Sequence, residues 1–75
     1  MKNYTIRLST IDAVRGFVTA VTGFSGDLDL SSGRYVIDAK SIMGIFSLDL
    51  ANPIQLTCHS GDEADLEKLI APYLA

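Results

Sequence analysis

Four short segments of this chain alternate apolar and polar residues, which constrains the fold more than any single motif. Each segment predicts a half-buried strand, because successive side chains of a strand point to opposite faces. These segments are residues 3–8, 26–31, 35–37 and 54–59. Three other segments carry apolar residues at helical spacing and predict amphipathic helices. They are residues 11–22, 41–48 and 60–74.

The resulting order is β-α-β-β-α-β-α within one domain that spans residues 1–75. Residues 26–38 predict a hairpin, because Ser31-Ser32-Gly33-Arg34 is typical of a tight turn. Four strands with one apolar face need that face covered, and three amphipathic helices can cover it. The sequence therefore predicts an α+β fold, in which a four-stranded antiparallel sheet carries three helices on one face.

Residues that favour helix ends mark where these helices begin and end. Ser9 and Thr10 are both candidate N-caps of the first helix. Ser60 and Glu63 have the spacing of a capping box, which predicts Ser60 as the N-cap of the last helix. Pro72 should distort that helix near its end. The face of the first helix predicted to be buried consists of Ile11, Val14, Phe17, Val18 and Val21.

Composition excludes several classes of function. A net charge of −3 and a pI of about 4.7 argue against binding to nucleic acid or to anionic membranes. No apolar run is long enough to span a bilayer. The single cysteine, Cys58, cannot form an internal disulfide, which favours a reducing, cytoplasmic location. The sequence shows no metal-binding cluster and no phosphate-cradling glycine loop, so no metal or cofactor is expected.

Residues 40–50, Lys-Ser-Ile-Met-Gly-Ile-Phe-Ser-Leu-Asp-Leu, are the most informative stretch. Ser41 would cap the second helix, and a phosphate on its hydroxyl would lie in the favourable field of that helix end. Helical spacing places Ile42, Ile45 and Phe46 toward the core and turns Met43 partly away. Because these apolar residues cannot all face the core, some should form an exposed patch that binds a partner.

This stretch resembles the regulatory serine segment of HPr, the small phosphocarrier of the bacterial sugar phosphotransferase system. The similarity in element order extends over almost the whole chain. It implies the HPr open-faced β-sandwich, regulatory phosphorylation at Ser41, and a second helix that docks kinases, enzymes and a transcription regulator. The partner-binding residues that it implies are Lys40, Ile42, Met43, Ile45 and Phe46. Lys40 could also pair with a phosphate on Ser41.

The chain departs from the family at the histidine that carries the phosphoryl group. HPr proteins hold this residue at the start of the first helix, where a nucleophilic ring nitrogen forms a labile phosphoramidate. In residues 11–16 that position falls on Asp12 or on Ala13, depending on the alignment, and glycine replaces the family's proline. Arg15 matches the family's arginine and could contact a phosphate. The only histidine, His59, lies at the end of the fourth strand and does not match the carrier position.

We therefore expect an HPr-like regulatory or adaptor module that acts through the Ser41 helix and is not an enzyme. Its expected partners are proteins of the phosphotransferase system or its regulators, such as HPr kinase and a transcription regulator. Its expected state is a monomer or weak dimer. A structural or interaction domain with no phosphorelay role is the alternative, because a fold does not fix a function. A carrier that uses Asp12 or His59 is the third hypothesis.

Overall fold

One antiparallel sheet of four strands packs against the helices of the chain. The computed structural model describes all 75 residues. The strands are β1 (Lys2–Ile6), β2 (Leu28–Ser32), β3 (Tyr35–Asp38) and β4 (Ile54–Cys58). The helices are α1 (Ile11–Thr22), α2 (Ile42–Ile45) and α3 (Glu63–Ile70), and a 3-10 turn follows at Ala71–Tyr73. The predicted α+β class and element order are confirmed.

The strands lie in the order β1-β4-β2-β3, so that β1 and β3 form the two edges of the sheet. Leu56 of β4 lies between Tyr4 of β1 and Leu30 of β2, and these side chains face the helices. The opposite face of the sheet is open and largely polar. On that face the Thr57 hydroxyl donates a hydrogen bond to the Asn3 side-chain oxygen at 2.9 Å.

The core lies between the sheet and the helices and contains only apolar residues. Phe17 of α1 and Leu66 of α3 belong to this core and are completely buried. Burial of a large aliphatic or aromatic side chain stabilises the fold by about 1.5–3 kcal/mol. The completely buried strand residues are Ile6, Leu30 and Leu56. None of the helices is long and apolar enough to cross a lipid bilayer.

The N-cap of helix α1 is the second of the two candidates, and the helix itself begins at Ile11. Thr10 is the N-cap, and its side-chain oxygen accepts a hydrogen bond from the Ala13 N–H at 3.0 Å. Ile11 was predicted to be buried, but 65% of it is exposed. A helical side chain covers the turn that precedes it, and Ile11 is the first residue of α1, so it has no preceding helical turn to cover.

Strand β1 ends at Ile6, two residues before the predicted end, because its partner β4 begins at Ile54, directly opposite Ile6. The C-terminal segment bonds to the other edge of the same stretch. The Arg7 N–H donates to the Tyr73 carbonyl at 2.8 Å, and the Ala75 N–H donates to the Thr5 carbonyl at 3.0 Å. A single β-bridge joins Ile6 to Leu74. The chain end therefore shields this part of the β1 edge.

Helix α3 uses a different cap from the predicted one. The Asp62 carboxylate accepts hydrogen bonds from the N–H groups of Ala64 at 2.9 Å and Asp65 at 3.4 Å. Ser60, the predicted cap, instead accepts a hydrogen bond from the Asp27 N–H at 3.0 Å. The predicted distortion near Pro72 is confirmed, because the chain changes there from an α-helix to a 3-10 turn.

Helix α2 is shorter than the predicted span 41–48. It ends at Ile45, and the next residues form tighter i→i+3 turns, in which Ser47 N–H donates to the Gly44 carbonyl at 3.1 Å. The Ser47 hydroxyl donates to the same carbonyl at 2.6 Å. A serine hydroxyl that bonds to a nearby carbonyl is compatible with such a tight turn.

Candidate functional site

Ser41 lies at the surface as the N-cap of α2. Its backbone is extended, with φ −97° and ψ 100°, and its side-chain oxygen accepts a hydrogen bond from the Gly44 N–H at 3.3 Å. Its carbonyl accepts the first helical hydrogen bond, from Ile45 N–H at 3.0 Å. The side chain is exposed. A capping hydroxyl is thus available to solvent or to an approaching enzyme.

Gly44 allows α2 to lie close both to its own cap and to the sheet. A Cβ atom at this position would lie 3.2 Å from the Ser41 side-chain oxygen and 3.3 Å from Ile37 of β3. Both separations are tighter than ordinary packing contacts. The absence of a side chain at Gly44 therefore helps to hold Ser41 at the start of α2, beside the β3 edge.

Three apolar residues of the α2 segment reach the surface. Met43 is 78% exposed, Phe46 is 44% exposed, and Ile42 is half-buried. We call Ile42, Met43 and Phe46 the docking patch. Phe46 was predicted to face the core, but α2 ends at Ile45, and the tighter turn that follows leaves Phe46 outside the core.

Ile45 was also expected to bind a partner, and the structure corrects this expectation. It is completely buried within the core cluster, beneath the docking patch. A partner could contact it only if α2 left the sheet. Its position instead indicates that it anchors the short helix, which has only four residues of its own.

Lys40 lies directly before Ser41, but its ammonium group is engaged elsewhere. Nζ donates to the Phe24 carbonyl at 2.6 Å and to the Gly26 carbonyl at 3.4 Å, both in the loop after α1. Its backbone N–H donates to the Asp38 carboxylate at 2.9 Å. Lys40 thus ties the start of α2 to a neighbouring loop. Pairing with a phosphate on Ser41 would require it to release the two carbonyls.

The start of α1 holds the residues at the family's carrier position. Asp12 and Arg15 are exposed, and neither takes part in an ion pair or side-chain hydrogen bond. Ala13 is half-buried, and its N–H is capped by Thr10. The Asp12 carboxylate lies in the first turn, where a negative charge favours the helix. The described contacts show no base that would activate a nucleophile here.

The sequence analysis missed one apolar side chain at this end of α1. Ile11 is exposed and directly precedes Asp12. The signal that could have found it is its place immediately after the cap Thr10, where a helix has no preceding turn to cover. Helices α1 and α2 contact each other, so both exposed apolar regions belong to the helical side of the protein.

His59 lies at the opposite end of the sheet from Asp12. Strand β4 starts at Ile54, which pairs with Ile6 near the start of α1, and it ends about 13 Å further along, just before His59. The ring atom Nε2 of His59 lies 2.7 Å from the Asp29 carboxylate. The structure therefore does not bring His59 together with Asp12 or Arg15. His59 instead lines a surface pocket together with Asp38 and Lys40, the residue directly before Ser41.

No group of three or more His, Cys, Asp or Glu side chains is arranged to hold a metal ion. Cys58 is a buried core residue, and its sulfur lies 3.3 Å from the Ser60 carbonyl.

Comparisons with known proteins identify the fold family. No protein-family model matches the chain, and no curated protein matches it. The crystal structure of HPr-C-His from Thermoanaerobacter tengcongensis matches with a TM-score of 0.80 and 26% identity, over 95% of this chain and 89% of that chain. The phosphocarrier protein HPr from Bacillus anthracis strain Ames matches with a TM-score of 0.74 and 30% identity, over 96% and 93%. The chain therefore belongs to the HPr family.

Proposed function

We propose that this protein is a regulatory or adaptor member of the phosphotransferase system that binds partner proteins through the docking patch and is switched by a phosphate on Ser41. One observation carries the proposal. An exposed capping hydroxyl and two exposed apolar side chains, Met43 and Phe46, share a short helical segment in an HPr protein without a histidine at the start of α1.

The physical basis of the switch is a change of charge beside an apolar surface. A phosphate adds about −1.5 to −2 charges at neutral pH, together with three strong acceptor oxygens. On Ser41 this charge would stand at the border of the docking patch. A partner with an arginine or lysine facing Ser41 would then bind more tightly, and a partner with an apolar or acidic surface there would bind less tightly.

The proposal assigns no carrier role to the start of α1. Asp12 and Ala13 provide no imidazole, and His59 lies at the other end of the sheet. The protein would act by binding, without chemistry of its own. Its proposed partners are an HPr kinase that modifies Ser41 and a transcription regulator that docks on α2.

Labelling by a kinase tests the regulatory site. The protein is incubated with an HPr serine kinase and ATP, and the modified residue is located by mass spectrometry. We expect one phosphate on Ser41 in the native protein and none in Ser41→Ala. Ser47→Ala is the matched control, because Ser47 is exposed in the same segment and should not affect labelling. An unlabelled native protein would contradict the regulatory role.

Binding measurements separate the regulatory function from a purely structural interaction domain. We expect Ser41→Asp to change the affinity for a phosphotransferase-system transcription regulator, and Ser47→Asp, with the same charge at another position, to change it much less. Met43→Ala and Phe46→Ala should weaken binding. A partner whose affinity is the same for native protein, Ser41→Ala and Ser41→Asp would favour the structural alternative.

Phosphoryl transfer from phosphoenolpyruvate tests the absence of a carrier role. The protein is incubated with phosphoenolpyruvate and the first enzyme of the system, with a histidine-containing HPr protein as the positive control. We expect label on the control only. Label on Asp12 or His59 would overturn this part of the proposal.

A further inference from the structure

Strand β3 is an edge strand, and the backbone N–H and C=O of its residue Val36 point away from the sheet. It pairs only with β2, in a register that places Ser32 opposite Tyr35 and Ser31 opposite Val36. The loop between them has two residues, and Gly33 adopts φ 59°, which fits a tight hairpin. The pair that closes such a hairpin is hydrogen-bonded, so the next pair, Ser31 with Val36, is not.

A hydrogen bond at the other end of the hairpin confirms this alternation of inward and outward backbone groups. Ala39 N–H donates to the Leu28 carbonyl at 3.1 Å, so residues 35, 37 and 39 direct their backbone groups toward β2. Val36 therefore directs its N–H and its C=O outward. No turn, loop or cap hydrogen bond engages either group. The free edge thus offers one donor and one acceptor on the same residue.

The exposed side chains of β3 are of types that usually occur in strands paired on both edges. Tyr35 is 68% exposed and Val36 is 63% exposed, and both residue types favour β-structure. Natural edge strands are protected by short length, as β3 is in part with its four residues, or by a lysine, a proline, a bulge or an inward-pointing charge. Apart from its length, β3 has no such protection in its middle, Tyr-Val-Ile. The nearest charged residues flank this middle: Arg34 directly precedes the strand, and Asp38 is its last residue.

The order of these residues is self-complementary. Residues 34–38 read as cation, aromatic, aliphatic, aliphatic, anion. If a second copy pairs antiparallel about a two-fold axis at Val36, then Arg34 of each copy lies opposite Asp38 of the other. Both side chains are exposed, and neither forms an ion pair within the chain. In the same register each Tyr35 faces Ile37 of the second copy.

Neighbouring registers lack this match. A shift of one residue places the outward backbone groups of one strand against the inward groups of the other, which cannot form a ladder. A shift of the axis to residue 35 or 37 removes the pairing of Arg34 with Asp38. Parallel pairing in register places like charges opposite each other, which is unfavourable.

From these observations we propose that β3 is a homodimer interface, at which two copies of this chain pair antiparallel about Val36 and join their sheets into one of eight strands. The partner is a second copy because the charge order matches itself. The contact is weak, since the strand has only four residues and a small interface gives low affinity. The case for this interface does not rest on the proposed role of Ser41.

Charge exchange tests the pairing, with sedimentation equilibrium from micromolar to millimolar protein as the measurement. We expect a concentration-dependent dimer for the native chain. Arg34→Asp makes both ends acidic and should weaken self-association about tenfold. Asp38→Arg makes both ends basic and should have the same effect. The double variant Arg34→Asp/Asp38→Arg should recover the dimer, because its ends are again opposite in sign.

Mixing the two single variants gives the sharpest result. Equal amounts of Arg34→Asp and Asp38→Arg should form a heterodimer, since acidic ends meet basic ends, while each variant alone stays largely monomeric. Circular dichroism checks that both variants are folded. A native chain that is monomeric at millimolar concentration, or single variants that do not associate when mixed, would overturn the proposal.

Cysteine cross-linking gives a second measurement that does not depend on charge. In the proposed register the two Val36 Cα atoms lie about 5.5 Å apart, which is within the range of a disulfide. Val36→Cys should therefore form a covalent dimer on mild oxidation. Thr5→Cys, an exposed position on the opposite edge strand, is the control and should form little. Cys58 is buried and should not interfere. Equal cross-linking of both variants would count against pairing at β3.

Discussion

The phenol oxygen of Tyr73 occupies the space in which a side chain at Gly16 would begin. The ring of Tyr73 also packs edge-on against Phe17, with centroids 5.7 Å apart and an interplanar angle of 89°. Gly16 therefore permits the 3-10 turn after α3 to pack directly on α1. The close approach of Tyr73 is the structural reason for a residue without a side chain at this position.

We predict that Gly16→Ala destabilises the protein, although alanine favours helices. The gain in helix propensity is about 1 kcal/mol, whereas forcing an extra carbon into a packed site costs about 1–3 kcal/mol. The expected net loss is up to about 2 kcal/mol in the free energy of unfolding, measured by urea denaturation. Gly23→Ala is the control, because a Cβ there meets nothing within 4 Å.

The double variant Gly16→Ala/Tyr73→Phe tests the cause of that loss. Removal of the phenol oxygen takes away the atom that the new methyl group would meet, so the double variant should recover much of the stability lost by Gly16→Ala. A double-mutant cycle measures this coupling. If the two effects simply add, Tyr73 is not the source of the strain.

Ser41→Ala should lower the free energy of unfolding by about 0.5–1 kcal/mol, because it removes the N-cap hydrogen bond of α2. Ser41→Asp should be close to native, since aspartate is also a good cap. Thermal and urea unfolding measure both. A Ser41→Asp variant as unstable as Ser41→Ala would show that aspartate does not replace the serine cap. A Ser41→Ala variant as stable as the native protein would show that the cap contributes little.

Ile45→Ala and Met43→Ala should have very different effects on stability. Ile45 is completely buried, and its truncation should cost about 2–4 kcal/mol. Met43 is 78% exposed, and its truncation should stay within about 0.5 kcal/mol. Urea denaturation of the two variants side by side provides the test. Equal destabilisation would contradict the assignment of Ile45 to the core and Met43 to the docking patch.

Acid should weaken the contact between β1 and α3 through Glu67. Its carboxylate accepts hydrogen bonds from Lys2 Nζ at 2.9 Å and from the Tyr4 hydroxyl at 2.8 Å, and these, Lys2 first, hold the pKa of Glu67 below its ordinary value. A lowered pKa in the folded state means that this stabilisation is present at neutral pH and is lost as the pH falls below 4.5 and through the folded pKa. Glu67→Gln should flatten that part of the stability profile.

Strong base should weaken the same contact by deprotonating Lys2 and Tyr4. The hydrogen bond to Glu67 raises the pKa of Lys2, and burial together with Glu67 raises the pKa of Tyr4. Because both pKa values are raised in the folded state, this stabilisation is fully present at a pH below the ordinary pKa values. It is lost as the pH rises through the pKa values of the folded state. Tyr4→Phe should remove the tyrosine part, as measured by thermal unfolding at stepwise higher pH. An unchanged profile would contradict a role for the Tyr4 hydroxyl.

Local sequence patterns predicted most of the elements, because alternation and helical spacing depend only on neighbours along the chain. Ser41 as a cap and Pro72 as a helix breaker are of this kind. The choice between two adequate N-caps cannot be predicted from neighbouring residues alone. Asp62 caps α3 because Ser60 accepts a hydrogen bond from Asp27, which is distant in sequence.

Other features of the candidate site depend on contacts between elements. The exposure of Phe46 follows from the early end of α2, and the place of Lys40 follows from two carbonyls in the loop after α1. The insertion of β4 between β1 and β2 is likewise a property of the whole sheet. Periodicity within one segment contains no information on any of these.

The two outer strands of the sheet are not equivalent, because residues 73–75 bond to the end of β1 while β3 has no such cover. Two copies joined at β3 would present a partly blocked strand at each outer border. Further copies would find no full-length template there, so the assembly would stop at a pair and would not grow into a fibre.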